Sequence, residues 1–133
     1  VPEPTEVVLA TQRPTTFADL NDRSWAKVAK SPDDYIGQGY RLWACVTQFD
    51  SATGSDTFRA DAANKNLKDE YWLDGVNVLF TGASSELSDV VEDDVVQVNV
   101  LVLGSLNYDT QIGGETTVPL FEVLHISHKG SCK

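Results

Sequence analysis

From residue 40 onward the chain alternates apolar and polar residues with a period of two, interrupted by clusters of turn formers. Successive side chains of a strand point to opposite sides of its sheet, so this alternation predicts half-buried strands. Tyr40, Leu42, Ala44 and Val46 fall on one side of the first strand, and Arg41, Trp43, Cys45, Thr47 and Phe49 on the other. Residues 50–56 are dense in turn formers; 57–62 then resume the alternation with Phe58 and Ala60 inward, which makes a hairpin. Asp74-Gly75 signals a turn before a third strand carrying Val76, Val78 and Phe80. Residues 95–106 are the longest β-rich run and predict a fourth strand, with Val96, Val98, Val100 and Val102 on one side. A loop over 107–117 leads to a fifth strand over 118–127, in which Pro119 must lie at the start or on an edge. Phe121, Val123 and Ile126 do not share one parity, and a bulge would reconcile them.

Helical signals flank the strands. Thr16 to Asp19 and then Ser24 offer capping residues ahead of the amphipathic run Trp25, Val28, Ala29, so a brief helix is expected there. Ser31-Pro32-Asp33-Asp34 repeats the start signal with proline at the first helical position, and Gly37 and Gly39 stop the turn. Ser84-Ser85-Glu86-Leu87-Ser88 has capping chemistry and room for a helical turn or two between Gly82 and Asp94. Five strands, a long first strand and a small connector helix between the third and fourth predict an all-β fold: a five-stranded OB-type barrel over 16–133, after a linker over 1–15. An antiparallel sandwich is the competing architecture, and the order of short and long strands favours the barrel. Phe58, Val78, Phe80, Val98 and Val100 are expected to be buried.

Composition narrows the function classes. A chain of 133 residues with 41% hydrophobic content suits one globular domain that folds without a metal or a dense disulfide framework. Its longest apolar stretch is too short to cross a bilayer as a helix. Twenty acidic residues against ten basic ones give a formal net charge of -10, which repels a phosphate backbone and argues against nucleic acid as a partner. The chain holds no methionine, and Val1-Pro2-Glu3-Pro4-Thr5-Glu6 is polar and proline-bearing. We expect a mature form whose opening follows a removed signal peptide or a membrane anchor; an intracellular chain trimmed at its start would look the same.

The run Trp25-Ala26-Lys27-Val28-Ala29-Lys30-Ser31-Pro32-Asp33-Asp34-Tyr35-Ile36-Gly37, followed by the strand through Val46-Thr47-Gln48-Phe49-Asp50, has a distinctive order. It resembles bacterial extracytoplasmic OB-fold domains, secreted or lipid-anchored, some of them grouped as tRNA-anti-like. The resemblance spans about 17–128. It implies fold and compartment, and because its motifs are structural it carries no site residue across.

Candidate chemistry is sparse. His125 and His128 invite a metal, yet residues three apart on a strand face opposite ways. Residues 50–56 have a calcium-loop look, but Ala52 and Gly54 stand where ligands belong and the distal Glu is missing. Asp89, Glu92, Asp93 and Asp94 read as a solvated connector, and Ser84, Ser85 and Ser88 precede no nucleophile elbow. No catalytic residue, metal site or cofactor is therefore assigned, and the chain is read as a monomer and not as an enzyme. The candidate ligand-binding face is the outer side of the first strand, where Arg41, Trp43 and Phe49 stand with Arg59 on the hairpin partner; aromatics beside guanidinium groups could stack sugars or bases. Alternatively Phe17, Leu20 and Trp25 of the N-terminal segment pack over these aromatics and hide them.

Barrel topology places the start of the fourth strand beside both the middle of the first strand and the end of the fifth. Cys45 lies in that middle and Cys132 just beyond the fifth strand, so a Cys45–Cys132 disulfide is expected in an oxidising compartment, with two free thiols as the alternative. Together these features predict a noncatalytic extracytoplasmic binding or interaction module for an unknown protein or small ligand, any anchor preceding Val1. The second reading is an OB-fold binder of oligosaccharide or single-stranded nucleic acid.

Overall fold

The computed structural model describes residues 16–67, 72, 75–109 and 115–132, with the backbone alone at 108, 109, 115 and 116. The expected linker over 1–15 lies outside the described residues. Within them the order is helix α1 (Asp22–Lys30), a 3-10 turn (Pro32–Tyr35), then strands β1 (Gly39–Gln48), β2 (Thr57–Ala63), β3 (Val76–Thr81), β4 (Asp94–Asp109) and β5 (Glu115–Ser131). The strands close into a barrel in the order β1-β2-β3-β5-β4. All pairs are antiparallel except β3 with β5, the parallel seam. This is the OB-type barrel that the strand order predicts.

The inward parity of each strand builds the core. Leu42, Ala44, Val46, Phe58, Ala60, Val78, Phe80, Val98 and Val100 are wholly buried, the five expected core residues among them. Along β5 the pairing shifts between Asn99↔His125 and Val100↔Val123, which leaves Leu124 as the extra residue of a bulge. The bulge reverses parity there, so Phe121 and Val123 before it and Ile126 after it all pack inward. Pro119 sits opposite Ser105, short of the β3 seam that begins at Leu120, so β5 has only β4 beside it at that point.

Four local expectations need correction. Helix α1 starts earlier than the Ser24 signal, because Asn21 is the cap: its side-chain oxygen accepts the Ser24 N–H at 2.8 Å. The connector between β3 and β4 forms successive turns in place of a helix, with the N–H groups of Glu86 and Leu87 both donating to the Ala83 carbonyl at 2.9 and 3.2 Å. The polar stretch expected as a loop over 107–117 belongs largely to β4 and β5, which run on as a two-stranded arm paired as far as Asp109↔Glu115. Finally, Phe49 does not lie on the outer side of β1. The β1–β2 register shifts between Val46↔Ala60 and Gln48↔Arg59, so Thr47 is bulged and Phe49 turns inward against the core.

Phe49 thereby joins a line of rings that runs through the barrel. Centroid separations are 5.3 Å for Phe49–Phe58, 5.2 Å for Phe58–Phe80, 5.7 Å for Phe80–Phe121 and 6.3 Å for Phe121–Trp25. Trp25 comes from α1, which covers the barrel end where β2 finishes; there the Asn64 side chain donates to the Leu20 carbonyl at 2.8 Å and to Asp22 at 3.0 Å. Phe49 marks the opposite end.

A second, smaller cluster lies outside the barrel wall, where Cys45, Ala63, Trp72, Val95 and Cys132 are buried together. Cys45 and Cys132 form a disulfide with Cα atoms 6.0 Å apart. The registers Cys45↔Val95 and Val95↔Gly130 place the end of β5 beside the middle of β1 through β4, the arrangement that predicts the bond.

Candidate functional site

The expected ligand face does not assemble. Arg41 is half-buried and its Nη1 pairs with Asp19 at 3.4 Å, while its backbone N–H donates to the Ala18 carbonyl at 3.0 Å. Trp43 packs against the disulfide cluster with Leu67. Its cover therefore includes residues between β2 and β3, whereas Leu20 and Trp25 of the N-terminal segment belong to the barrel core. Arg59 stands opposite Gln48 and Leu79, four residues along β2 from the Ala63 that pairs with Trp43, and its charge acts on Asp61. Phe49 is inside. Phe49 thus leaves the expected group, while Arg41 and Trp43 stay two residues apart on the outer side of β1, both partly buried.

What the barrel offers instead is a shallow cleft of about 420 Å³ at the end away from α1, between the β1–β2 loop and the β3–β4 connector. Phe49, Leu87 and Val90 supply its apolar surface, and Ser51, Ser55, Ser84 and Ser88 stand around it with Asp50. The Phe49 ring is held from behind by its stacking on Phe58.

Both walls are fixed by local hydrogen bonds. Asp50 organises one of them: its Oδ1 accepts the N–H of Ala52 at 2.9 Å and of Thr53 at 3.3 Å, and its carbonyl accepts the N–H of Thr53 and Gly54 at 3.1 Å. An aspartate that satisfies the backbone two and three residues ahead is the chemistry of an Asx turn, and it explains why this loop resembles a calcium loop without being one. Asp56 then ties the loop to the start of the other wall, its carbonyl accepting the Gly82 N–H and the Thr81 hydroxyl, both at 3.0 Å. The connector is anchored by Leu87, which is buried in the core, and farther on by the Asp93 N–H, which donates to the Val46 carbonyl at 2.8 Å. Ser88 donates to the Ser85 carbonyl at 3.1 Å. The exposed hydroxyls of Ser51, Ser55 and Ser84 make no hydrogen bond within the described residues.

The other candidates are structural. His128 Nε2 lies 3.3 Å from Asp94 Oδ1, whereas His125 Nε2 lies 3.5 Å from the Ser127 hydroxyl, so the two rings serve different neighbours. Asp94 also accepts the Val91 N–H at 3.0 Å, closing the acidic turn. Among the described residues no group of three or more His, Cys, Asp and Glu is placed to hold a metal ion, and no helix is long and apolar enough to cross a membrane. Sequence reasoning missed the cleft because its members come from two polar loops with no periodic signal. The one hint was the density of serine in both.

No family model, curated protein or solved structure matches this chain.

Proposed function

We propose that this protein is a noncatalytic extracytoplasmic binding module whose ligand seats in the cleft between the β1–β2 loop and the β3–β4 connector. The observation that carries the reading is the pairing of an apolar floor with unengaged hydroxyls on loops already fixed by their own hydrogen bonds. A site fixed before the ligand arrives loses little freedom on binding, which favours affinity. The cleft serines are not joined to a histidine, since His125 and His128 lie on β5 beside Ser127 and Asp94, and this supports binding over acyl-transfer chemistry.

The Cys45–Cys132 disulfide supports a compartment in which thiols are oxidised, as does the resemblance to secreted and lipid-anchored OB-fold domains. The net charge of -10 argues against nucleic acid as the ligand. A thermal-shift screen of the full chain against a library of small uncharged molecules tests the proposal. Compounds that raise Tm for the parent and fail to do so for Ser84→Trp, a variant that fills the cleft, are the expected result. Compounds that stabilise both proteins equally would place binding elsewhere and contradict it.

A further inference from the structure

We infer that the ligand of this cleft is an uncharged sugar of one or two rings, a conclusion that rests on the cleft being the binding site. Three classes of small ligand compete for a recess of about 420 Å³, and the lining residues decide among them.

An anionic ligand has nothing to meet. The residues described around the cleft include no Lys, Arg or His, and the chain as a whole carries -10. A phosphate, sulfate or uronate would lose its water without gaining a cation. A cationic amine fares little better, because the one carboxylate in the lining, Asp50, already accepts from Ala52, Thr53 and the Gln48 side chain, the last at 3.3 and 3.4 Å. An amine could reach only Oδ2, where it would displace the Gln48 side chain for one exposed ion pair, and such pairs contribute little.

A wholly apolar ligand would match Phe49, Leu87 and Val90, but it would strip water from Ser51, Ser55 and Ser84 and give them no partner in return. A polar group buried without a hydrogen bond is more costly than the bond itself is favourable. A sugar ring resolves this conflict. Its C–H face is apolar and flat enough to lie on Phe49, while its hydroxyls both donate and accept, as serine hydroxyls do. The volume of about 420 Å³ lies toward the lower part of the range of small-molecule sites, about 300–1,000 Å³, which suits one or two sugar rings. This site differs from the outer strand face that Arg41 and Trp43 would have provided.

Saturation-transfer NMR on the full chain tests the inference, with cellobiose and N,N′-diacetylchitobiose as neutral probes, glucuronate as an anionic probe and indole as an uncharged apolar probe. Ser51→Ala and Ser84→Ala alter exposed turn residues, and circular dichroism verifies their fold. The expected result is transfer to a neutral disaccharide and none to glucuronate, with binding weakened about three- to tenfold by each serine substitution and abolished by Ser84→Trp. Transfer to glucuronate equal to that of the neutral sugars would overturn the charge argument. Transfer to a neutral sugar that survives Ser84→Trp and disappears in Trp43→Ala would overturn the assignment to this cleft. If only indole binds, and Ser84→Trp blocks it, the sugar inference fails while the cleft stands; if no probe binds, the inference and the binding-site reading on which it rests both fall.

Discussion

The ring of Phe49 stacks on that of Phe58 with centroids 5.3 Å apart and planes inclined by 26°. Phe49 reaches this position because the Thr47 bulge turns the end of β1 over, and its ring then serves both as the last of the core aromatics and as part of the cleft floor. Phe49→Ala should lower stability by about 1–2 kcal/mol, less than the roughly 3–5 kcal/mol of a fully buried Phe→Ala change such as Phe58→Ala. Chemical denaturation of the two variants measures both. An effect at Phe49 within about 0.5 kcal/mol of zero, as at an ordinary surface site, would contradict its inward placement.

Gly104 is held at φ 123, where the register shift between β4 and β5 leaves Leu103 as the extra residue, and a Cβ there would stand 2.9 Å from Asp33 Oδ1. The Asp33 carboxylate accepts the Ser105 hydroxyl at 3.1 Å, so it can move aside only by giving up that bond. Gly104→Ala should therefore destabilise by about 1–3 kcal/mol. Gly130 has a φ of 139, and a Cβ at that position would meet nothing within 4 Å, so Gly130→Ala should show backbone strain alone and the smaller loss of Tm.

Burial raises the pKa of Asp61, and the nearby Arg59 charge opposes this only in part. The carboxyl thus holds its proton to a higher pH in the folded protein than in the unfolded chain. Stability falls as pH rises through that window from the ordinary value of 3.8, and the deficit persists above it. Asp61→Asn, which cannot ionise, should melt higher than the parent at pH 7 and lose that advantage below pH 3.8. Melting curves across the acid range check the sign.

The Cys45–Cys132 bond closes a loop with a sequence separation of 87. On the chain-entropy account it stabilises the fold by about 4–5 kcal/mol, so reduction or a Cys45→Ser, Cys132→Ser double substitution should lower the denaturation midpoint markedly. Alkylation of the full chain in its native cells should leave both cysteines unmodified until a reductant is added. Labelling of both without reduction would contradict an oxidising compartment.

The barrel is legible in the sequence because inward positions such as Leu42, Phe58 and Val98 keep strict alternation, and the burial of one side fixes the register of a strand. The disulfide is legible because it follows from strand order once the barrel is assumed. The inward turn of Phe49 is not, since a bulge at a threonine carries no compositional mark and reverses every later side chain. The arm beyond Leu106 reads as a loop because Asn107, Tyr108, Asp109, Thr116 and Thr117 show no apolar alternation, and nothing in the core demands it. The cleft is hidden because it depends on Asp56 joining two loops that lie far apart in sequence.

An amide-shift map of the isotopically labelled full chain, recorded as a mixture of small uncharged fragments is added, tests most directly where this protein binds. The account predicts shifts concentrated in residues 50–56 and 83–90, the two walls of the cleft. Shifts centred on Arg41 and Trp43 along the outer side of β1, with those loops unchanged, would contradict it.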